Sequence, residues 1–537
     1  MSSLLDDVLG SYLDLLTERE FDAPFLALLR ARGYRDIHFL HGTFEFGKDF
    51  IAKLDEAGTT YQAAFQTKGG NLGISEWRVA RGQIDEMRTN NLAHPNYDSS
   101  LPRQTVFVTT GRLTGGAPVS AQEYGRHLEQ LGEGGFEVWD RETIVTDLVR
   151  HPSIGLAGTL DVDLMRVIAD ISAGAVTQEQ LEQWSRPWVS ADGVDLLRGA
   201  LAAAVVAARC REVNRIDLAA HSALLIVRAA VARLVDGATA DASLVADLGG
   251  NLFERYAGEL SDRCRDLVAD PEQFAGVGEL AIWITYPVRV ARTAEILALY
   301  VLRLRLDGRG AAAEPIGAML RELISSQPGA AHPVSDKGAA TLIPIGLALG
   351  ADDEELFGTW VTEIVRWTAN RYDRGPGLAS LGATSKEEVE YLAGSALEHV
   401  NVPARTTSLV ATAVLDLVSV FERADLYDLA VNELLAVDVL PDVVEVGDVV
   451  DQCLRDGVSV TRQVNWAHDE SWHPTDHWKT AAHHRRSPDP YAVAARYTWE
   501  HVTLVSVLRD RMFATTQRLV ARNLRADSST PRGTRSP

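Results

Sequence analysis

The stretch EFGKDFIAKLDEAGTTYQAAFQTKGG, residues 45–70, decides the fold of the N-terminal part of this chain. Two runs in it, Phe46–Leu54 and Thr60–Lys68, have the residue types of β-strands. The sequence DEAG at 55–58 separates them, and its Asp and Gly are typical of a tight turn. We therefore expect a β-hairpin with two antiparallel strands.

Three polar residues of this hairpin are predicted to lie together. A turn centred near residue 57 puts Asp49 opposite roughly residue 65, so its carboxylate can lie beside Gln66 on the neighbouring strand. Because side chains alternate along a strand, Lys68 shares the face of Gln66. One carboxylate, one amide and one ammonium group would then converge.

Such a set of groups suits the hydrolysis of a phosphodiester. A hard cation such as Mg²⁺, or Mn²⁺ in its place, binds oxygen ligands, neutralises charge that develops on phosphorus and acidifies a bound water. We expect Asp49 to be the anionic metal ligand and Gln66 a neutral one, with a backbone carbonyl near Thr67 as a further oxygen. Lys68 would orient or deprotonate the attacking water, or stabilise the phosphorane oxygens.

The segments around the hairpin predict a mixed sheet flanked by helices. Apolar spacing predicts a helix from Ser75 to about Asn90, and Ser75 is of a residue type that caps helices. A hairpin followed by strand–helix–strand crossovers gives a sheet with both antiparallel and parallel pairs. The other predicted elements are a helix at Asp22–Arg32, strands at Ile37–Leu40, Thr105–Thr109 and Phe136–Trp139, a helix at Ser120–Leu131 and a helix from Arg141.

The rest of the chain differs in composition and predicts a large all-α domain. It is rich in Ala, Leu, Val and Arg at helical spacing, and Pro and Gly residues between 152 and 158 mark the change. We expect an α/β domain at 1–155, a helical domain at 156–523 and a disordered tail at 524–537. Helices are predicted at 192–213, 217–236, 276–306, 352–372, 404–422 and 490–523.

Charge and cysteine content limit the classes of function. The chain of 537 residues has a formal net charge of −22, which argues against a protein that coats nucleic acid without specificity. Any DNA contact is expected to be local and sensitive to salt. Only three cysteines occur, and neither a signal peptide nor an apolar run of membrane-spanning length is recognisable, so we expect a cytoplasmic protein without membrane contact.

The motifs resemble a known group of nucleases. EFGKDFIAKL, then YQAAFQTKGG, then a helix with RGQIDEM, is similar to the Mrr-like form of the PD-(D/E)xK nuclease superfamily, in which an acidic strand residue precedes QxK on the next strand. FDAPFLALLRARGYRDI is similar to the first family helix, and TVFVTTGRLTGGA with FEVWDRETIVTDL to the last two strands and their helices. The resemblance covers about residues 18–150, and it implies a restriction-endonuclease-like fold and Mg²⁺-dependent DNA cleavage.

Four further residues are candidates for the site. The family usually carries a Glu in the first helix where this chain has Asp22, whose shorter side chain could instead cap the helix. Glu20 lies nearby as a substitute, and Glu45 is another candidate metal ligand because strand alternation puts it on the face of Asp49. Gln83 lies at the edge of the apolar helix stripe, where it could reach the active site or bond a neighbouring loop.

Basic and histidine-rich segments admit more than one interpretation. Arg78, Arg81 and Arg88 share one face of the predicted helix, where they could contact DNA phosphates or be ordinary solvated charges. The hairpin residues themselves could be an ion-paired, solvated strand edge. A later segment could bind zinc, form an aromatic, basic loop that recognises a partner or nucleic acid, or simply pack between helices. It holds five of the 14 histidines: His468, His473, His477, His483 and His484.

Together these features predict a metal-dependent DNA endonuclease fused to a helical domain. The resemblance to restriction and anti-phage defence effectors implies a gated nuclease, silent until its helical domain binds a partner protein or a phage-derived trigger. A homo-oligomer is expected, because cutting both DNA strands commonly needs two active sites. The alternatives are a catalytically inactive nuclease fold that binds DNA or acts as a scaffold in a multi-protein defence complex, and an RNA-directed nuclease.

Overall fold

The chain forms two compact units. The N-terminal unit comprises residues 1–170 with 191–205, and the C-terminal unit comprises residues 171–190 with 206–537. The seam predicted at residues 155–156, the histidine-rich segment and the tail at 524–537 lie outside the described residues. The computed structural model describes residues 9–10, 13, 16, 18–40, 48–56, 58–90, 94–133, 135–151, 162–190, 193–235, 240–269, 279–394, 402–444, 461–463 and 499.

The N-terminal unit contains a five-stranded mixed sheet, as predicted. Its strands lie in the order β1-β2-β3-β4-β5. The first three are antiparallel neighbours, whereas β3, β4 and β5 run parallel. Its elements are α1 (Glu18–Ala31), β1 (Arg35–Phe39), β2 (Phe50–Glu56), β3 (Thr59–Lys68), α2 (Ile74–Thr89), β4 (Arg103–Thr109), α3 (Ala117–Gln130), β5 (Phe136–Trp139) and α4 (Arg141–Arg150).

The predicted hairpin is formed by β2 and β3. Phe50 pairs with Phe65 and Glu56 with Thr59, so the turn lies close to the predicted centre. Gly58 in that turn has a φ of +84°, a left-handed conformation that glycine adopts without strain. The first strand begins at Phe50 rather than at the predicted Phe46, and residues 41–47 lie outside the described part of the chain.

The two faces of the sheet are covered by different helices. Phe25 of α1 packs edge-on against Phe50 and Phe65, with ring centroids 5.2 and 5.5 Å away. These three rings are at most 1% exposed, and burial of each stabilises the fold by roughly 1.5–3 kcal/mol. On the other face, α2 and α3 enclose a core that contains Ile51 and Ala64. Strand alternation puts Gln66 on the face of Ala64, toward α2.

Helix α2 begins differently from the prediction. Its N-cap is Gly73, whereas Ser75, the predicted cap, lies in the first turn. The side chain of Glu76 folds back, and its carboxylate accepts a hydrogen bond of 3.0 Å from the backbone N–H of Gly73. Ser75 donates its hydroxyl to the same carboxylate. The Glu76 side chain thus accepts a hydrogen bond from a backbone N–H at the start of α2, where such groups have no partner within the helix.

The remaining elements are mostly helical, but the prediction of an all-α domain is wrong in one detail. A small three-stranded sheet, β6 to β8, joins segments that are distant in sequence. No helix among the described residues combines the length and apolar character needed to cross a membrane. The helices are α5 (Val162–Ser172), α6 (Gln178–Trp184), α7 (Gly193–Glu212), α8 (Ile216–Val235), α9 (Ala240–Ala269), α10 (Glu279–Leu306), α11 (Gly310–Ser326), α12 (Gly338–Asp352), α13 (Glu354–Arg374), α14 (Ser385–Ala393), α15 (Leu409–Val420) and α16 (Ala424–Leu435). The strands are β6 (Thr407–Ser408), β7 (Leu440–Val444) and β8 (Thr461–Gln463).

Candidate active site

Asp49 lies at the bend just before β2. Its backbone N–H donates to the carbonyl of Phe65 at 2.8 Å, and its own carbonyl accepts from Leu40 at 2.8 Å. Both neighbouring strands thus hold its backbone. Its side-chain oxygen Oδ2 accepts three hydrogen bonds, from the backbone N–H of Thr67 at 2.6 Å, the Thr67 hydroxyl at 2.8 Å and the Gln66 Nε2 at 2.8 Å.

The Asp49 carboxylate therefore closes the hairpin ladder at this end. The last pair of the ladder is Phe50 with Phe65, and beyond it the N–H of Thr67 is satisfied by a side chain. The predicted contact between Asp49 and Gln66 is present. In addition, the N–H and the hydroxyl of Thr67 donate to Asp49, two contacts that the sequence does not indicate.

Gln66 is a buried amide with one end unsatisfied. Its side chain is 3% exposed, and its Nε2 faces Asp49 because an amide oxygen in that place would repel the carboxylate. Its Oε1 is buried and has no hydrogen-bond partner among the described residues. A buried polar atom without a partner costs about 1–3 kcal/mol, so such atoms commonly mark a bound water, an ion or a functional site.

Lys68 ends β3 on the face of Gln66 and is half-buried. The loops that follow β3 and β4 support this end of the sheet. A Cβ atom on Gly111 would lie 2.2 Å from the carbonyl carbon of Gly70, so only glycine permits this approach. The hydroxyl of Thr109 donates to the carbonyl of Gly70 at 2.8 Å and ties the two loops together. The contacts between these two loops therefore hold the backbone that follows Lys68 in place.

Lys48, next to Asp49, is a buried charge. Its side chain is 0% exposed. Its ammonium donates to the carbonyl of Asn90, the C-cap of α2, at 3.0 Å and lies 5.7 Å from the ring of Tyr97. Burial, reinforced by the nearby Arg103 charge, lowers the pKa of Lys48 to about 8. The partly negative C-terminus of a helix offsets part of that cost.

The further candidate residues have different surroundings. Asp22 is half-buried on α1, the helix that packs on the Phe50 and Phe65 face of the sheet. The side chain of Glu20 and the whole of Glu45 lie outside the described residues. Gln83 lies on α2 above the face of Gln66, and its Oε1 is also buried without a hydrogen-bond partner in the described structure.

The arginines of α2 are partly engaged by the protein itself. Arg81 lies 4.0 Å from Asp85 and places its guanidinium 4.9 Å from the ring centre of Tyr124. Arg88 donates to the backbone carbonyl of Glu133 at 2.6 Å, and its guanidinium also lies 3.3 Å from the Glu133 carboxylate. Arg78 is exposed on the same helix. Of the predicted phosphate contacts, Arg78 is thus the most accessible.

The oxygen donors of the site are one carboxylate and one amide. Among the described residues, no group of three or more His, Cys, Asp and Glu side chains is arranged to hold a metal ion. Amide and backbone oxygens, which Mg²⁺ also accepts, fall outside that set of residue types. Gln66 Oε1, on the amide whose Nε2 donates to Asp49, is such an oxygen.

Comparison with known proteins adds no family assignment. No protein-family model matches the chain, and neither a curated protein nor a solved structure matches it. A function for this chain therefore has to be inferred from its own residues and contacts.

Proposed function

We propose that the N-terminal unit is a metal-dependent DNA endonuclease whose centre is Asp49, Gln66 and Lys68. The observation that supports this most is the buried Oε1 of Gln66, which lacks a partner while its Nε2 is bonded to Asp49 at 2.8 Å. The motif resemblance to Mrr-like nucleases points to the same three residues. The proposed restriction-endonuclease-like identity of the mixed sheet rests on that resemblance.

The donor set fits a hard divalent cation such as Mg²⁺ or Mn²⁺. An ionised carboxylate and a neutral amide oxygen are ligands that such ions prefer, and an electropositive partner would relieve the unsatisfied Gln66 Oε1. When bound, the ion would supply neutralisation of charge at the phosphorus and acidification of a water. Further oxygen ligands would come from water, from the DNA phosphate or from Asp22, Glu20 or Glu45.

Each residue of the centre then has a distinct task. Asp49, held by three donors, would keep its carboxylate in one orientation, and Gln66 would supply a neutral oxygen from a buried position. Lys68 would place its ammonium beside the scissile phosphate, where it stabilises negative charge or exchanges a proton with the attacking water at Nζ. Arg78, exposed on α2, would contact the DNA backbone.

The helical region is proposed to gate this centre. A net charge of −22 opposes idle association with DNA, so a nuclease on this chain would need a partner protein or a phage-derived trigger to engage its substrate. Assembly into a homo-oligomer would supply the second active site for cutting both strands. These properties are those of a gated effector in restriction or anti-phage defence.

One observation favours the alternative of an inactive, DNA-binding or scaffolding nuclease fold. Arg81 and Arg88, expected at phosphates, are close to Asp85 and Glu133. A fold that has lost catalysis would tolerate such ion pairs on its DNA-facing helix. The two functions differ in whether the chain cleaves DNA by means of Asp49, Gln66 and Lys68.

The test is cleavage of supercoiled plasmid by the full-length chain with Mg²⁺ or Mn²⁺. Asp49→Asn and Lys68→Met should each lower the rate at least about 100-fold, the order expected for loss of a metal ligand or a general acid–base group. Matched controls are Asp55→Asn and Lys53→Met on the same hairpin, which should cut like the wild type. Labelled RNA of the same sequence, tested in parallel, identifies the preferred nucleic acid.

The possible results separate the candidates. Equal cutting by wild type, Asp49→Asn and Lys68→Met would reject the assigned centre. Binding of plasmid without cleavage, with phage lysate and candidate partner proteins supplied, would establish the scaffold instead. Preferential cleavage of RNA would reassign the substrate and keep the centre.

A further inference from the structure

Thr67, between the two predicted site residues of β3, makes an unusual double contact. Its backbone N–H and its hydroxyl both donate to Oδ2 of Asp49, at 2.6 and 2.8 Å. Thr67 is buried, with only 2% of its surface exposed. Water is thus poorly placed to substitute for the Asp49 carboxylate as the partner of this hydroxyl.

The three donors restrict what the Asp49 carboxylate can do. With Gln66 Nε2 as the third donor, Oδ2 already accepts more hydrogen bonds than the two lone pairs of a carboxylate oxygen usually take. A bidentate grip on a cation would have to break some of these bonds. A cation bound without breaking them would meet the carboxylate in the orientation that these donors set.

We propose that Thr67 is a positioning residue, whose hydroxyl orients the Asp49 carboxylate for a divalent cation that Asp49 and Gln66 would hold. This inference rests on the proposed nuclease centre and adds a residue to it. Threonine suits the task because its β-branched side chain has few rotamers in a strand, so the hydroxyl stays where Asp49 needs it. Without the hydroxyl, only the Thr67 N–H and Gln66 Nε2 would hold the carboxylate, and its orientation would be less restricted.

The experiment measures Mn²⁺ binding directly, without DNA and without turnover. Wild type, Thr67→Val, Thr67→Ser and Asp49→Asn of the full-length chain are titrated with MnCl₂, and free Mn²⁺ is followed by electron paramagnetic resonance. Thr67→Val keeps the shape, the branching and the backbone N–H, but it lacks the hydroxyl. It should bind Mn²⁺ about tenfold more weakly, as expected for loss of a hydrogen bond to a charged group.

Thr67→Ser is the matched control, because it keeps the hydroxyl on an unbranched side chain. It should bind Mn²⁺ within about twofold of the wild type. In plasmid cleavage, Thr67→Val should need more Mn²⁺ for half-maximal rate, and excess Mn²⁺ should restore the rate. A purely structural role for Thr67 would instead lower the urea midpoint and leave the Mn²⁺ dependence unchanged.

Failure of this inference differs visibly from failure of the nuclease centre. If Asp49→Asn abolishes Mn²⁺ binding but Thr67→Val binds like the wild type, the role of Thr67 is overturned and the centre stands. If wild type and Asp49→Asn bind Mn²⁺ equally, or neither binds it, both the centre and the inference are overturned. Weak binding by Thr67→Val, together with recovery in Thr67→Ser, supports both.

Discussion

Asp49 in the N-terminal unit and Asp336 in the C-terminal unit both accept several hydrogen bonds through one carboxylate oxygen, but their surroundings differ. Each carboxylate accepts backbone N–H groups at the end of an element. Asp336 is 1% exposed, and its second oxygen lies 2.7 Å from the Arg405 guanidinium. Its Oδ1 accepts hydrogen bonds from the Ser408 hydroxyl and from the backbone N–H groups of Leu409 and Val410, at the start of α15.

The two clusters differ in whether the protein supplies a positive group to the buried oxygen that lacks a hydrogen-bond donor. Around Asp336, Oδ2 is also buried without an aligned hydrogen-bond donor among the described residues, but the Arg405 guanidinium 2.7 Å away balances its charge and Oδ1 fills the donors of a helix N-terminus, so the cluster is complete in charge. Around Asp49, three donors converge on one oxygen while Gln66 Oε1 stays buried without a partner. The number of hydrogen bonds therefore does not distinguish the two clusters; the cation that Arg405 supplies to the buried Asp336 Oδ2 does.

The largest expected effect comes from breaking the complete cluster. Asp336→Ala leaves the half-buried Arg405 without its carboxylate and removes the acceptor of N–H groups at the start of α15, which should cost about 3–5 kcal/mol of stability in the C-terminal unit. Urea unfolding measures the loss, and hydrogen exchange across residues 409–420 should accelerate. Asp55→Ala is the control, because Asp55 pairs with Arg35 at the exposed surface. Similar stability in the two variants would contradict the assignment of Asp336 as a buried structural group.

Gln62 and Gln66, on the same face of β3, allow a test of whether the Gln66 oxygen that lacks a hydrogen-bond partner serves binding rather than folding. Gln62 is 1% exposed and satisfied at both ends, since Nε2 donates to Ala52 at 3.0 Å and Oε1 accepts from Asp98 at 2.9 Å. Gln62→Leu should cost about 2 kcal/mol because it strands both partners. Gln66→Leu loses the hydrogen bond from Nε2 to Asp49 but also removes the oxygen that has no partner among the described residues, so the two effects offset and the net cost should be below about 1 kcal/mol, while Mn²⁺ binding falls.

Urea unfolding of the two variants, side by side with Mn²⁺ titration, provides both measurements. If Gln66→Leu were more destabilising than Gln62→Leu, the distinction drawn between the Asp49 and Asp336 clusters would be contradicted. It would be sharpened if Gln66→Leu kept the stability of the wild type and lost the metal, because that combination separates binding from folding.

A smaller effect is expected from the pH dependence of Lys48. Its pKa falls from its ordinary 10.5 to about 8 in the fold because burial disfavours the ammonium form. Between pH 8 and 10.5 the unfolded chain therefore binds more protons than the folded chain, and stability rises with pH in that window. Between pH 7 and 9.5 the gain should be about 1–2 kcal/mol, and Lys48→Met should abolish it. An equal rise in Lys48→Met would assign the effect to other groups.

The hairpin and the contact between Asp49 and Gln66 could be predicted because they depend on local sequence. A turn at DEAG fixes which residues face each other, and the observed register pairs Phe50 with Phe65. The role of Thr67 could not be predicted, because strict alternation puts Thr67 on the face opposite Gln66. The bend at Asp49 brings one carboxylate oxygen within reach of both residues.

The helical region was predicted only in part, for reasons visible in particular helices. Predicted helices at 192–213 and 217–236 match α7 and α8 closely, because their apolar residues recur at helical spacing. Helix α12 was missed because it is buried on nearly all sides, so no polar face reveals its period. In α9, Gly249 suggests a break, but it packs against α8, where a Cβ atom would lie 2.8 Å from Val227.

The small sheet of the C-terminal region had no recognisable signal. Strand β6 has two residues and β8 has three, too short for alternation to be detected. The predicted helix at 404–422 begins later, at Leu409, because Ser408 caps it through a hydrogen bond from the N–H of Ala411. The predicted helix at 490–523 lies outside the described residues, apart from Trp499.

The Asp336 cluster also sets an order of events during synthesis on the ribosome. Asp336 and Ser408 are separated by 72 positions in the chain, and Arg405 also lies on the later side. At roughly 5–20 residues per second, translation needs roughly 4–14 s to pass from one to the other. Throughout that interval the carboxylate must remain hydrated, so its surroundings cannot close into a dry core. The speed of translation therefore sets the earliest time at which this cluster, and the packing around it, can be completed.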